Sequence, residues 1–477
     1  MRIAGAAAAC LALILAACAT TDVNKPLAPA AMRNDGEFIS SGGYRYAALN
    51  NNDRSPELLV LLSISGGGKR SSAFAYGVFK GLRDFAIPVN GAQHRLLDEI
   101  DMITAVSGGS FPAAYYGLRR DKIFSDFEPD FLRRDIDNYI WGSYLFPWKI
   151  GVDANERMAG IYDDLMFHGA TYADLQRNGS PLISINATDV TYRLVFPFTQ
   201  EYFDLICSDL SSFPLSHAVA ASNGFPILFT PITLKSYAER CGGRVPGWVR
   251  REGARPALNR AGVFANGARQ YLDPQATRYV HLMDGGIADN LAMRSMINAI
   301  LILTADETVL KQANFGSIRR ILLINADGQA SNFGDGSKEP RLSRIGQVFD
   351  AVTGTQIDRY NFETLLLAQS QLEELRDTII NSRCRVGPVV DGHPCYDVQS
   401  TFVHLSLADV SDAAEREHLE HVPTQLTLED NDVDRLIAAG QALVRESPDL
   451  RNFRASLLPR PEGDDRPAAK VSPADGS

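Results

Sequence analysis

The chain has 477 residues, of which 45% are hydrophobic and 22% are charged, as in an ordinary globular protein. This length is sufficient for one large domain with additional segments. The formal net charge is −10 and no basic stripe dominates, so we expect no binding to nucleic acid.

The N-terminus has the pattern of an export signal. Met1-Arg2 is followed by an apolar run from Ala6 to Leu15 that is too short to span a bilayer. The run ends in Leu15-Ala16-Ala17-Cys18, which resembles the lipobox of bacterial lipoproteins. The alternative is a plain signal peptide with an incidental cysteine, but all four positions fit the lipobox.

The resemblance to lipoproteins implies an anchor. Residues 1–17 would be removed and Cys18 would be acylated, for instance with palmitate, which ties the protein firmly to a membrane. Ala19 after the cysteine implies sorting to the outer membrane of a Gram-negative cell, facing the periplasm. Residues 18–55 are expected to form a flexible tether, because they are rich in Ala, Asn, Pro and Gly.

The folded body begins with a strand, a glycine-rich turn and a helix. The apolar run Pro56–Ser63 predicts a strand that is buried on both faces. Ser65-Gly66-Gly67-Gly68-Lys69-Arg70 follows, and Ser71–Phe85 has helical periodicity. The free N–H groups at such a helix start suit a phosphate or an oxyanion. The spacing of a nucleotide P-loop is absent, and acyl transfer fits better.

A second unit of the same kind carries a serine. Ile100–Val106 predicts a buried strand, Phe111–Leu118 predicts a helix, and Ser107-Gly108-Gly109-Ser110 lies between them. A sharp turn from strand to helix pushes the hydroxyl of its serine out of the sheet toward a substrate. The alternative is a plain serine-glycine loop that caps a helix.

A carboxylate follows a later strand. Arg278–Met283 leads into Asp284-Gly285-Gly286, where the carboxylate would point at the C-terminal edge of a parallel sheet, although Asp-Gly turns are also common. His217 and His281 are the histidines nearest these motifs. His281 lies three residues before Asp284, so its side chain should point to the opposite face. We interpret both histidines as structural.

The remaining periodicity predicts an α/β fold with a C-terminal extension. Further strands and helices are expected at Pro181–Asp189, Tyr192–Phe198, Ser216–Ser222, Ile318–Ala326, Arg341–Ile380 and Thr401–Leu407. Thr427 and Asp430 predict a capping box for a last helix through Val444. Residues 121–170 are rich in aromatic residues and predict a helical cap, and residues 461–477 are expected to be disordered.

The cysteines beyond Cys10 and Cys18 are even in number, which favours disulfides in an exported protein. Cys384 and Cys395 flank a short loop with Gly and Pro, so they are the first expected pair. Cys207 and Cys241 would form the second pair. Neither a CxxC nor an HExxH spacing occurs, so we expect no metal site and no cofactor.

Three of these stretches together resemble the patatin-like phospholipase family. SGGGKRS at 65–71 is similar to the family's oxyanion loop, AVSGG at 105–109 to its nucleophile elbow, and DGG at 284–286 to its aspartate motif. The order of the motifs agrees, and the blocks INATD at 185–189 and AASNGFP at 220–226 are also similar. The chain departs from the family's pattern at Ser65, Ser71 and Ala105.

The resemblance implies a three-layer α/β/α fold with a central, mostly parallel sheet over residues 56–330. The periodicity of residues 331–460 predicts a mainly helical extension with a strand. The resemblance also implies a catalytic dyad of Ser107 and Asp284 without histidine. Gly66, Gly67, Gly68 and Arg70 would form the oxyanion hole, and Ala105 and Gly109 would shape the elbow.

The predicted function is a membrane-anchored serine lipid acyl hydrolase that acts on phospholipids or other acyl esters. The same dyad would also serve a thioesterase or an acyltransferase. A catalytically silent lipoprotein that binds or tethers is the alternative outside enzymes, because of the three departures from the family's motifs.

Overall fold

The structure is a computed structural model that describes residues 23–28, 43–46, 54–138, 154–177, 179–226, 229–254, 259–304, 315–330 and 345–458, with backbone only for 345–356 and 358. Cys18, the signal residues 1–17 and the tail 461–477 lie outside the described residues. Trp141, Tyr144, Phe146 and Trp148 of the predicted cap do so too. No helix within the described ranges is long and apolar enough to cross a membrane.

Eight strands form the main sheet. In chain order they are β1 (Leu58–Ile64), β2 (Ile100–Val106), β3 (Leu182–Asp189), β4 (Leu194–Pro197), β5 (Ile232–Lys235), β6 (Tyr279–Met283), β7 (Arg320–Asp327) and β8 (Gln399–Ser406). Every residue of β1, β2, β3 and β7 is buried, as their continuous apolar runs predict.

The strand order is β8-β7-β1-β2-β3-β6-β5, with β4 paired to β3. The pairs from β8 to β3 are parallel, whereas β4, β5 and β6 run antiparallel to their neighbours. The parallel strands therefore point their carboxyl ends at a common edge, where sites form in such sheets.

Helices cover both faces of this sheet. Their bounds in chain order are α1 (Gly68–Asp84), α2 (Ser110–Arg119), α3 (Ile123–Phe127), α4 (Ala154–Tyr162), α5 (Tyr172–Arg177), α6 (Gln200–Leu205), α7 (Leu215–Ser222), α8 (Gly247–Glu252), α9 (Arg260–Ala268), α10 (Gly286–Asp289), α11 (Met293–Thr304), α12 (Ile345–Val386), α13 (Ala413–His421), α14 (Asp430–Glu446) and α15 (Pro448–Ser456). Because parallel crossovers are right-handed, α1 and α2 lie on one face and α11 and α12 on the other. This is the predicted three-layer α/β/α architecture.

The described part of the cap consists of short helices around an aromatic core. Phe127, Phe131 and Tyr162 are buried, and Phe111 of α2 stacks on Phe131 with ring centroids 4.2 Å apart. The rings described in this region thus pack the cap onto α2.

The described residues of the C-terminal region are built into the same body as the earlier strands. β8 pairs with β7 along its whole length, and α14 packs across α1. The predicted capping box at the start of α14 is wrong. The hydroxyl of Thr427 donates to Asp135 Oδ1 (3.2 Å) and accepts from the N–H of Asp137 (3.1 Å), so it joins the cap to the C-terminal region.

Two parts of the predicted tether are held against the body. Lys25–Pro26 pairs antiparallel with Ser208–Asp209. The guanidinium of Arg45 forms a buried ion pair with Asp204 at 2.6 Å. Residues 23–28 and 43–46 therefore do not follow the tether prediction, because they gain backbone pairing and buried polar contacts.

Both predicted disulfides are formed. Cys207 is joined to Cys241, with Cα atoms 5.9 Å apart, and Cys384 to Cys395, with Cα atoms 4.9 Å apart.

Candidate active site

Ser107 follows β2 at a sharp turn into α2. Its φ is +49°, in the left-handed region that residues with a Cβ rarely adopt. Its N–H donates to Ser222 Oγ (2.8 Å), and its carbonyl oxygen accepts from Ser110 Oγ (2.6 Å) and Asn223 Nδ2 (3.0 Å). These three bonds hold the backbone in a conformation that costs of order 1 kcal/mol or more. The turn thus has the geometry of a nucleophile elbow.

The strand pairing explains how Asp284 reaches this serine. β2 pairs with residues 182–186 of β3, and β6 pairs with residues 188–189. β4 occupies the other edge of β3 at 186–189. β2 and β6 must therefore share one edge of β3, so they approach each other end to end. The residue after β2 and the residue after β6 meet where these two strands end.

Those two residues are Ser107 and Asp284. The Ser107 hydroxyl donates to Asp284 Oδ2 at 3.0 Å, and Asp284 Oδ1 accepts from the N–H of Gly286 at 2.8 Å. Burial raises the pKa of Asp284 to about 6, although the hydrogen bonds from Gly286 and Ser107 oppose this rise. A carboxylate in this state is more basic than a solvated one and lies within proton-transfer distance of the hydroxyl.

The histidines play another part. All eight histidines lie in the described residues, and none of them is hydrogen-bonded to Ser107. The Ser107 hydroxyl contacts Asp284 and, at 3.4 Å, Asn223 Oδ1. His217 is paired with Glu156 (2.9 Å), and His281 contacts Thr233 on β5 (3.0 Å). Both have partners away from the serine, as their structural interpretation predicts.

The glycine loop before α1 lies directly beside the elbow. Gly66 is so close that a Cβ on it would stand 3.3 Å from Ser107 Cβ, and a Cβ on Gly108 would overlap the carbonyl oxygen of Gly68. Gly68 has φ +60°, and a Cβ there would meet the carbonyl oxygen of Gln425 at 2.8 Å. The N–H groups of Gly67 and Gly68 form no hydrogen bond with any residue that the structure describes. They remain open to an incoming oxyanion.

Gly66 and Arg70 are placed differently from the prediction. The N–H of Gly66 donates to the carbonyl oxygen of Asn290 at 2.8 Å. The buried guanidinium of Arg70 donates to the carbonyl oxygens of Gly328 (2.9 Å) and Val422 (2.6 Å). Burial lowers the pKa of Arg70 to about 10. The N–H of Gly66 is therefore already used, and Arg70 braces the loop through its Nε and Nη1 donors.

The three departures from the family's motifs fit the same geometry. Ser65 Oγ accepts from the N–H of Gly328 (2.9 Å), and Ser71 Oγ donates to the carbonyl oxygen of Ser65 (2.6 Å). Ala105 is buried in β2, before the turn, so its Cβ leaves the elbow intact. Gly109 lies against β1, because a Cβ on it would meet Ser65 O at 2.7 Å.

Sequence reasoning missed three residues that shape the elbow. Ser222 and Asn223 contact the backbone of Ser107, and Ser222 Oγ in turn donates to the carbonyl oxygen of Asn186 at 2.6 Å. They lie in the INATD and AASNGFP blocks, whose similarity to the family was the signal, but no local pattern gave them a role. The described residues hold no cluster of three or more His, Cys, Asp or Glu side chains that could ligate a metal.

Comparisons with known proteins bear on this arrangement. Residues 62–297 match the family model described as patatin-like phospholipase. No curated protein sequence matches the chain significantly.

Among solved structures, human GIVD cytosolic phospholipase A2 is similar at 12% identity and a TM-score of 0.40, over 84% of this chain and 63% of that one. The same enzyme in complex with methyl gamma-linolenyl fluorophosphonate and terbium chloride gives 14% identity and a TM-score of 0.36, over 86% of this chain and 61% of that one. The chain thus spans less than two thirds of the length of these relatives.

The fold assignment rests on the sheet and on the family match, which covers both the elbow and the aspartate motif. Residues 62–297 thus form a patatin-like phospholipase domain, and this match supports a lipid acyl ester hydrolase.

Proposed function

We propose that the chain is a membrane-anchored serine hydrolase of phospholipids or related acyl esters that works through a dyad of Ser107 and Asp284. The observation that carries the proposal is the 3.0 Å hydrogen bond from the Ser107 hydroxyl to the buried carboxylate of Asp284. The family match supports the substrate class, and the lipobox ending at Cys18 supports the anchor.

The reaction begins when Ser107 Oγ attacks the acyl carbonyl carbon and its proton moves to Asp284 Oδ2. The oxyanion that forms on the carbonyl oxygen accepts hydrogen bonds from the N–H groups of Gly67 and Gly68. Fixed donors of this kind contribute about 3–4 kcal/mol each to the transition state. The leaving alcohol takes the proton from Asp284 and departs, which leaves an acyl-serine.

Hydrolysis of the acyl-serine repeats these steps with water. Asp284 accepts a proton from the water as it attacks the acyl carbon, and then returns the proton to Ser107 Oγ as the fatty acid leaves. The dyad is thus regenerated without a net change in its protonation.

The test is covalent labelling with a fluorophosphonate probe. We expect the intact protein to be labelled and Ser107→Ala to be unlabelled, whereas the exposed-site control Ser125→Ala should be labelled as the wild type is. The form that begins at residue 19 should release fatty acid from a panel of defined lipids. Absence of labelling in the folded wild type would instead favour a silent binding protein.

A further inference from the structure

A few residues after Cys18, the chain is bound to the folded body through Asn24, Lys25 and Pro26. The buried side chain of Asn24 accepts from the N–H of Lys235 (2.9 Å) and donates to the Lys235 carbonyl oxygen and to Ser208 Oγ (both 2.9 Å). Lys25–Pro26 then pairs with Ser208–Asp209. Buried amides that satisfy their donors and acceptor in this way define a single position. We call residues 23–28 the N-terminal clamp.

The clamp lies at the same end of the sheet as the dyad. Lys235 pairs with Tyr279, which lies five residues before Asp284 on β6. Because β6 continues beyond the end of β2, these five residues place Lys235 about 17 Å beyond the dyad, in the direction in which β2 points. At that height Asn24 is hydrogen-bonded to Lys235, the last residue of β5, which pairs with β6.

The length of the preceding chain limits where an acylated Cys18 can lie. Asn24 lies six positions after Cys18, and six fully extended residues span at most about 20–22 Å. A lipid on Cys18 is therefore confined to the surroundings of this face.

The same face exposes apolar side chains. Tyr279 (52% exposed) and Val190 (39%) lie on the projecting part, where the N–H of Val190 donates to the carbonyl oxygen of His281. Ile287 (46%) and Phe225 (36%) lie within three residues of Asp284 and of its hydrogen-bond partner Gly224. Single exposed apolar residues are ordinary, but these four all lie at the end of the sheet where the dyad lies.

We propose that the face formed by Val190, Phe225, Tyr279 and Ile287 docks onto the lipid bilayer, and that the N-terminal clamp holds it there by keeping the lipid anchor short. This inference rests on the proposed function, since it requires a lipid substrate and an acylated Cys18. In this proposal, the clamp orients the active site toward the membrane. Tyrosine suits such a surface, because its ring is apolar and its hydroxyl remains in contact with water.

The first test changes one exposed tyrosine on each end of the sheet. Tyr279→Glu places a charge on the docking face beside Lys235, whereas Tyr396→Glu, 66% exposed in the wild type, places it near the start of β8 at the opposite edge. The lipidated full-length proteins are reconstituted in phosphatidylcholine vesicles. We expect Tyr279→Glu to lower hydrolysis of vesicle phospholipid at least fivefold, while turnover of a soluble short-chain ester stays within twofold. Tyr396→Glu should change neither rate.

The second test changes the length of the anchor and leaves the folded body untouched. A twelve-residue Gly/Ser insertion between Thr21 and Asp22 lengthens the chain before the clamp, and the same insertion between Pro29 and Ala30 lengthens it after the clamp. Effective concentration falls with about the −3/2 power of linker length, so tripling the span from Cys18 to Asn24 should lower the vesicle rate roughly fivefold. The second insertion should not change it.

The outcomes separate this inference from the proposed function. Equal vesicle rates for the two insertions, or for the two glutamate variants, in protein that is lipidated and hydrolyses the soluble ester would overturn the docking proposal alone. A wild type that hydrolyses neither substrate, or that carries no lipid on Cys18 by mass spectrometry, would overturn the proposed function and the docking proposal with it.

Discussion

Burial of Asp284 improves its basicity and at the same time weakens the fold. The side chain is withdrawn from water, which raises its pKa from 3.8 to about 6 because the charged form loses hydration. Between these two pH values the unfolded chain releases a proton that the folded chain retains. The free energy of unfolding therefore decreases as pH rises through this window, by about 3 kcal/mol from this group.

Asp284→Asn should remove both effects. The variant keeps an acceptor for Ser107 but has no base, so we expect it to fold and to lose nearly all ester hydrolysis. Its free energy of unfolding relative to the wild type should grow by about 3 kcal/mol between pH 4 and pH 7, because only the wild type has to ionise a buried carboxylate. Urea unfolding of both proteins at the two pH values measures this. Retained turnover, or a constant difference, would contradict the assigned base.

At the level of elements, α1 and α14 cross with their backbones in contact. A Cβ on Gly440 would overlap the carbonyl oxygen of Phe74 and approach the nitrogen of Val78 at 2.8 Å, and a Cβ on Gly77 would overlap the carbonyl oxygen of Ile437. Since α1 begins at Gly68, this crossing also fixes the glycine loop beside the elbow.

Gly440→Ala should consequently destabilise the protein by about 1–3 kcal/mol, because the helices must move apart. Gly160→Ala is the matched control. Gly160 lies on the exposed side of α4, where a Cβ meets nothing within 4 Å, and alanine there should stabilise by up to about 1 kcal/mol. Thermal unfolding checks both changes. A neutral Gly440→Ala would show that the crossing tolerates a wider spacing.

Local sequence signals located the strands and the turns that carry Ser107 and Asp284 well. The apolar run Ile100–Val106 matches β2 at both ends. A strand that is buried on both faces is recognisable from its continuous apolar run alone. The turns at Ser107 and Asp284 were also visible, since each follows directly on a predicted strand. That they meet depends on β2 and β6 sharing an edge of β3, which was implied only by the family resemblance.

What the sequence did not reveal depends on contacts between distant segments. Thr427 resembled a helix cap, but its hydroxyl is used by Asp135 and Asp137, almost 300 positions away. Gly66 resembled an oxyanion donor like its two neighbours, but Asn290 takes up its N–H. No local pattern distinguishes three consecutive glycines, because the choice is made by the chain that packs against them.

At the scale of the whole molecule, the described residues 345–458 complete the body that contains the site. Within this region, β8 extends the sheet, and the carbonyl oxygen of Gln425 accepts from the N–H of Lys69 at 2.9 Å, next to Gly68. The division at residue 330 thus separates parts that share one sheet and one loop.

A chain that ends at Gln329 or shortly after should therefore fail to fold into a soluble, fluorophosphonate-reactive protein, because β7 loses its neighbour and α1 loses its cover. A chain that ends at Leu458 retains every described residue of this region and is the control, with unchanged labelling. Soluble expression and labelling of the two truncations are the measurements. A reactive shorter form would mean that the first 330 residues fold on their own.

The disulfide between Cys207 and Cys241 belongs to the same small apolar cluster as Leu27, whose N–H donates to the carbonyl oxygen of Cys207 at 2.9 Å. Closing this loop of 34 residues stabilises a protein by about 3–4 kcal/mol in the chain-entropy view. Material purified from a reducing cytoplasm would lack this bond while its Ser107 and Asp284, which lie elsewhere, stay in place. Such a preparation would hydrolyse dissolved esters normally, but its N-terminal clamp would be held less firmly against the body. An assay on membranes is therefore informative only when this disulfide is oxidised.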